Sequence, residues 1–153
     1  MKRFPKPFRF TPKHPEKYVG DVTNIVMRSS WEKKFAIWCD SNPSVIQWNS
    51  EGIPIKYWHS VDQKIRRYYI DFFVKLKTKD GSIAKLAIEV KPACQKNPPV
   101  KPKRRTAKSE QRYINECITY QQNQDKWRAA EEWCKQNGFK FLVMTEYELG
   151  IKT

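Results

Sequence analysis

The sequence predicts an α/β (α+β) fold, a mixed β-sheet flanked by helices, and three observations predict it. First, Tyr68–Leu76 and Ile83–Val90 are rich in β-branched and aromatic residues and flank Lys79-Asp80-Gly81, which reads as a β-hairpin. Second, apolar residues recur at helical spacing after Ser29 and again after Ser109. Third, Phe139–Thr145 (FKFLVMT) reads as a buried strand behind the second helical region. A helix and a strand that follow an antiparallel hairpin imply a crossover, and so a mixed sheet.

In chain order, Met1–Tyr18 alternates basic residues with proline and phenylalanine, which disfavours regular structure and suggests an arm. Three fates are open to it: lying along DNA, docking on a partner protein, or packing back through its phenylalanines. Ser29-x-x-Glu32 has the spacing of a capping box and starts a helix whose inward stripe is Trp31, Phe35, Trp38 and Cys39; Asn42-Pro43 ends it. Glu32 stands at the edge of that stripe, and spacing alone makes it a capping residue. Val45–Trp48 and Ile53–Trp58, either side of Asn49–Gly52, give a second hairpin signal, with Pro54 demoting one strand to an edge. Ser60–Lys64 then leads into the central hairpin past Arg66 and Arg67.

Beyond Lys91 the chain turns rich in proline and lysine. Lys96, Lys101, Lys103, Arg104, Arg105 and Lys108 make an irregular basic loop, suited to a phosphate backbone or simply to solvent. Ser109-x-x-Arg112 opens a helical region that runs to about Asn137, with Gly138 just past its end. Tyr113, Cys117 and Tyr120 form one stripe and Trp127, Ala130 and Cys134 another; the polar interval Gln121–Asp125 allows a break between two helices. Glu146–Thr153 is a short tail with room for one helical turn. The order is α-β-β-β-β-α-β.

The turn of the central hairpin decides its chemistry. A three-residue loop Lys79-Asp80-Gly81, with glycine in the left-handed position, places Asp71 across from Glu89, whereas a two-residue loop throws them onto opposite faces. In the three-residue register, Ile70, Phe72, Val74 and Leu76 share one face of the first strand, and Asp71, Glu89 and Lys91 occupy the other face of the hairpin. Facing carboxylates repel, and a divalent cation removes the repulsion. Magnesium fits, because it binds through one or two carboxylates plus water and a substrate phosphate, and the Val90 carbonyl is a further ligand candidate. Lys91 is placed to orient or deprotonate water or to neutralise charge on the phosphate. A surface ion-pair cluster is the plain alternative.

Net charge narrows the partner class. With 30 Lys and Arg against 16 Asp and Glu, the 153-residue chain carries +14, which favours a polyanion, with nucleic acid first. No apolar run approaches the roughly 20 residues of a membrane span, and the N-terminus lacks the apolar core of a secretory signal; a soluble cytosolic chain without a membrane partner is expected. Cys39, Cys94, Cys117 and Cys134 lack zinc-ligand spacing and are expected to be reduced and mostly buried.

Asp71, then Glu89-x-Lys91 on the next strand, with a helix bearing Glu32 before them and a helix and strand after, resembles the PD-(D/E)xK nuclease superfamily. Val45 with Trp48, the run R-x-Y-x-x-D-F from Arg66 to Phe72, and K-W-x-x-A…G-x-x-F-x-V-x-T-x-x-E from Lys126 to Glu148 extend the likeness to the endonuclease subunits of heteromeric transposases, over about residues 28–149. The whole chain resembles the head-completion nucleases of T-even-type tailed phages. That resemblance implies a restriction-endonuclease-like αβββαβ core in a single domain over 21–153, preceded by a basic arm over 1–20 and containing a flexible basic loop over 92–108. It implies a magnesium-dependent DNA endonuclease, with manganese as an alternative ion and no small-molecule cofactor, acting on packaged DNA in head completion. Phage head or portal proteins are the implied partners, and the host cytoplasm during assembly, or the virion, is the implied location. Glu32, Asp71 and Glu89 become metal-associated acids, with Lys91 the catalytic lysine; Arg66, Arg67, Lys101, Lys103, Arg104, Arg105 and Lys108 are the nucleic-acid contacts. Ile70 departs from the superfamily's nominal proline. A basic structural protein that holds DNA through an inactive nuclease fold, and a transposase-like or repair nuclease, are the alternatives.

Overall fold

The computed structural model describes residues 6–150; the Met1–Pro5 part of the expected arm and Ile151–Thr153 of the expected tail lie outside the described residues. Of the three fates open to the N-terminal segment, its described part packs back. β1 (Phe8–Arg9) pairs antiparallel with β2 (Val26–Met27), Phe10 is buried, and the Tyr18 ring meets Trp48 edge-on at 4.8 Å between centroids. The backbone amides of Lys13 and His14 donate to the buried Asp40 carboxylate at 2.8 and 2.9 Å.

α1 (Ser30–Ser41) starts at the expected cap, with the Ser29 side chain accepting from the Glu32 amide at 3.1 Å. Phe35, Ala36 and Cys39 face the core, as helical spacing requires. Trp38 does not: it is exposed at the edge of that face and stacks on Phe35, centroids 5.6 Å apart.

The central sheet has the order β3 (Val45–Ser50), β6 (Phe72–Lys77), β7 (Ile83–Val90), β8 (Lys140–Met144); the first three strands are antiparallel, and β7 and β8 are parallel. Between β3 and β6 the chain makes a separate ribbon from β4 (Pro54–His59) and β5 (Lys64–Tyr69). This corrects two expectations. β3 does not pair with β4, because Glu51, at φ +50°, and Gly52 carry the chain out of the sheet. Tyr68–Leu76 is not one strand, because it breaks at Ile70-Asp71, so five strands rather than four separate α1 from the second long helix. Ile70 accordingly joins the opposite core from Phe72.

The expected register holds. Phe72 pairs with Ile88 and Lys77 with Ile83, the Thr78 amide donates to the Ser82 carbonyl at 2.8 Å, and Gly81 has φ +87°. Lys79-Asp80-Gly81 is therefore a three-residue loop whose last position favours glycine.

α2 (Ala107–Asn137) is one unbroken helix of 31 residues, about 46 Å long, and ends at Gly138 with φ +77°. It begins ahead of Ser109, which is the third residue of a capping box closed by Thr106. Its polar interval does not break because those side chains have partners. Asp125 accepts from the Ser60 amide at 2.9 Å and hydroxyl at 2.7 Å, tying the tip of the β4–β5 ribbon to the helix, and Gln121 donates to it at 3.0 Å. A short α3 (Glu146–Leu149) follows β8.

Both faces of the sheet are covered. Phe35, Ala36 and Cys39 of α1 pack with Val45, Trp48, Phe72, Val74 and Ile88 on one side. Trp127, Ala130 and Cys134 of α2 pack with Tyr68, Ile70, Phe73 and Ala87 on the other, where the ribbon adds Ile55 and Tyr57. The face that carries the acids is thus a second core rather than a polar surface. Two cysteines, Cys39 and Cys134, are buried and Cys94 is exposed, and all four are free thiols. The α1-β3-β6-β7-α2-β8 path forms a restriction-endonuclease-like mixed α+β core, with the ribbon inserted between its first two strands.

Candidate active site

The site lies where β6 and β7 part. Their ladder ends at Phe72 and Ile88; beyond it the Val90 amide donates to the Asp71 carboxylate at 2.8 Å, in place of a main-chain partner. The Asp71 carbonyl is fixed by the Glu51 amide at 3.1 Å, so the turn that leaves β3 also holds the acid's backbone. In a strand, a residue's amide and carbonyl leave on the same side, and the Val90 carbonyl therefore leaves the strand toward Asp71.

Glu89 is 3% exposed. Its Oε2 accepts from the Tyr68 hydroxyl at 2.5 Å, and its Oε1 lies 3.8 Å from the Lys91 ammonium. Lys91 is only partly buried, and its amide donates to the Met144 carbonyl at 2.9 Å, which pins the residue at the ends of the parallel strands β7 and β8. Glu32 approaches from the first turn of α1. Its Oε2 accepts from the Arg28 amide at 2.6 Å, one residue outside the partner a capping box would give it, so capping and approach to the acids coexist.

The electrostatics are those of acids gathered with too little positive charge. Burial, then the charges of Glu89 and Glu32, raises Asp71 well above the usual carboxylate range. Burial raises Glu89 against the opposing pull of Lys91 and the Tyr68 hydrogen bond. Burial raises Glu32, with the Arg28 amide pulling the other way. Among the described residues no three His, Cys, Asp or Glu side chains close into a complete metal cage. Asp71, Glu89 and the Val90 carbonyl are the donors that would hold an ion here, with its other ligands supplied from outside the chain. That donor set fits magnesium, a hard cation that keeps several waters.

Residues 42–146 match the model of the family described as TnsA-like endonuclease N terminal. The chain belongs to that endonuclease family. The Head completion nuclease of Enterobacteria phage T4 is 41% identical to it over 138 residues, covering 90% of this chain and 89% of that protein.

In this TnsA-like endonuclease the fold brings Glu32, Asp71, Glu89, Val90 and Lys91 together, but it scatters the basic residues. Arg66 forms an ion pair with Asp62, whereas Arg67 stands on the opposite face of the ribbon, across from Lys56. Lys101, Lys103, Arg104 and Arg105 are exposed in the irregular segment after Lys91, and Lys108 is exposed in the first turn of α2. Among the described residues none of these five forms an ion pair. A cleft of about 750 Å³ lies between this segment and α2, lined in part by Gln95, Asn97, Lys108 and Arg112.

Sequence reasoning missed four residues around the acids. Tyr68 bonds Glu89, and Arg28 pairs with Glu51 at 2.8 Å. Glu51 in turn holds the Asp71 backbone. Lys126, from α2, places its ammonium 5.5 Å from the centroid of the Tyr68 ring; burial and the neighbouring Lys91 lower its pKa, against the attraction of Glu89 and Asp71. The Arg66–Phe72 and Lys126–Glu148 motifs contain Tyr68 and Lys126, but nothing in their spacing assigns either a role. Arg28 and Glu51 depend on a turn whose sequence resembles a hairpin loop.

Proposed function

We propose that the protein is a magnesium-dependent DNA endonuclease that hydrolyses phosphodiester bonds and acts in phage head completion. The observation that carries this reading is the convergence of Asp71, Glu89 and Lys91 where β6 and β7 separate, with Glu32 beside them. Asp71, Glu89 and the Val90 carbonyl would hold the ion, manganese being an alternative. Such an ion polarises the phosphate and lowers the pKa of water. Lys91, tethered near Glu89 but partly open to solvent, is the group that orients the attacking water and neutralises charge developing on the phosphate. Tyr68 holds Glu89 in place, and Glu32 adds negative charge that favours a divalent ion. The exposed cations from Lys101 to Lys108 supply the phosphate contacts. The 41% identical Head completion nuclease supports the assembly role; head or portal proteins as partners, and the host cytoplasm or the virion as location, are part of the proposal alone.

Supercoiled and linear DNA incubated with and without magnesium test the reading. Cleavage is expected only with the ion, EDTA should stop it without unfolding the protein, and Asp71→Asn should abolish it while leaving DNA binding intact. Magnesium-independent cutting, or full activity in Asp71→Asn, overturns the reading. Binding without cleavage under every condition favours a structural DNA-holding role.

A further inference from the structure

The β4–β5 ribbon has an outward face that neither the core nor the acidic site uses. Burial alternates along β4, with Ile55, Tyr57 and His59 inward and Pro54, Lys56 and Trp58 outward. The register pairs those outward residues with Tyr69, Arg67 and Ile65 of β5. Lys56 and Arg67 therefore stand directly opposite each other, between the Trp58–Ile65 and Pro54–Tyr69 pairs. Trp58 is 56% exposed, Ile65 68% and Tyr69 43%. Two features of this face are unfavourable in water. Like charges directly opposite on a sheet repel, and among the described residues no carboxylate pairs with either cation. A large aromatic and an isoleucine are also left outside the core. A polyanion with apolar surface between its charges removes both penalties. Duplex DNA has that composition, with phosphates flanking base edges and sugars, and a two-stranded ribbon fits its major groove, about 12 Å wide.

We propose that the outward face of the β4–β5 ribbon binds duplex DNA, with Lys56 and Arg67 on phosphates and Trp58 and Ile65 against groove atoms. The polyanion's identity rests on the endonuclease reading. The ribbon is coupled to the chemistry through both faces: inward Tyr68 bonds Glu89, and outward Tyr69 lies two residues before Asp71. DNA held on the ribbon is thereby registered against the acids.

Binding of fluorescent duplex DNA, measured in EDTA so that no cleavage intervenes, tests this on the full chain across a salt series. Lys56→Ala with Arg67→Ala should reduce the slope of log Kd against log salt by about 2, since each neutralised phosphate accounts for roughly 0.9 of it. Trp58→Ala with Ile65→Ala should weaken binding about tenfold without altering the slope, since the charge is unchanged. Lys77→Ala with Lys79→Ala removes the same charge at the far end of the β6–β7 hairpin and should leave the slope unchanged. All of these residues are exposed, so melting temperatures close to wild type are expected and verify the fold. An unchanged slope in the Lys56/Arg67 pair, an equal effect from the Lys77/Lys79 pair, wild-type affinity in the Trp58/Ile65 pair, or a loss confined to single-stranded DNA overturns the proposal. None of these outcomes touches the endonuclease reading, which stands or falls on Asp71→Asn and magnesium.

Discussion

The hydroxyl of Tyr68 donates to Oε2 of Glu89 across 2.5 Å, joining the inserted ribbon to the central strand at the candidate site. Tyr68 is 4% exposed, and burial followed by the charge of Glu89 raises its pKa, so the phenol stays neutral and can only donate to the carboxylate. A group that orients a metal-ligating carboxylate this way typically contributes roughly 10- to 100-fold in metal affinity. Tyr68→Phe keeps the ring and removes the donor. The magnesium concentration for half-maximal cleavage should rise by about that factor, and the metal-induced increase in Tm should shrink. Unchanged values for both would confine Tyr68 to packing.

Asp71→Asn separates electrostatics from fold. The amide oxygen can still accept from the Val90 amide, while the charge facing Glu89 and Glu32 disappears. The pKa of Asp71 is raised in the folded protein, so its ionisation opposes folding. That cost is fully present above the folded pKa and shrinks as pH falls below it toward the ordinary carboxylate range. In chelator at pH 8 the Asn variant should melt above wild type, because it lacks the buried charge that burial, Glu89 and Glu32 disfavour. The gap should close toward acid pH, and magnesium should close it at neutral pH by stabilising wild type alone. A gap that is absent, or that widens on acidification, contradicts the charge argument.

Much of this site is legible in local sequence because it depends on strand parity. A three-residue turn at Lys79-Asp80-Gly81 sets the register of β6 and β7 as far as Phe72 and Ile88, which brings the next residue, Asp71, to the end of the ladder beside Glu89-Val90-Lys91. What could not be read is what happens where parity fails. The break at Ile70-Asp71, which sends Ile70 to the other core, arises from two long-range hydrogen bonds: the Asp71 carboxylate takes the Val90 amide, and its carbonyl takes the Glu51 amide. Similarly, Gln121–Asp125 looks like a helix break until the ribbon tip supplies Ser60 as a partner for Asp125. The pairing of β4 with β5 rather than with β3 turns on Glu51 at φ +50°, a conformation its side chain does not announce.

The basic segment after Lys91 yields a third prediction. Lys103, Arg104 and Arg105 are exposed and, among the described residues, form no ion pairs, so their charge is available to a phosphate backbone. Replacing all three with alanine should weaken duplex binding and lower the salt slope by about 2–3, at roughly 0.9 for each phosphate that the segment neutralises. Cleavage at saturating DNA should change little, because none of the three reaches the acids. An unchanged slope would remove this segment from the DNA-binding surface.

Lys126 gives the last and most discriminating test of how the site balances its charge. Its ammonium sits over the Tyr68 ring and interacts with Glu89 and Asp71, while burial and Lys91 disfavour its charged form. A lysine that only packed there would be replaced by methionine at little cost, since the apolar stem survives. If its charge offsets the acids and the incoming phosphate, the same substitution should lower kcat by about 10²-fold, the scale for losing one preorganised electrostatic partner. DNA affinity should fall far less, because a single cation is a small part of a +14 surface. Lys126→Arg retains the charge and should recover part of the rate. Wild-type kcat in Lys126→Met would assign Lys126 to packing and leave Lys91 as the site's working cation.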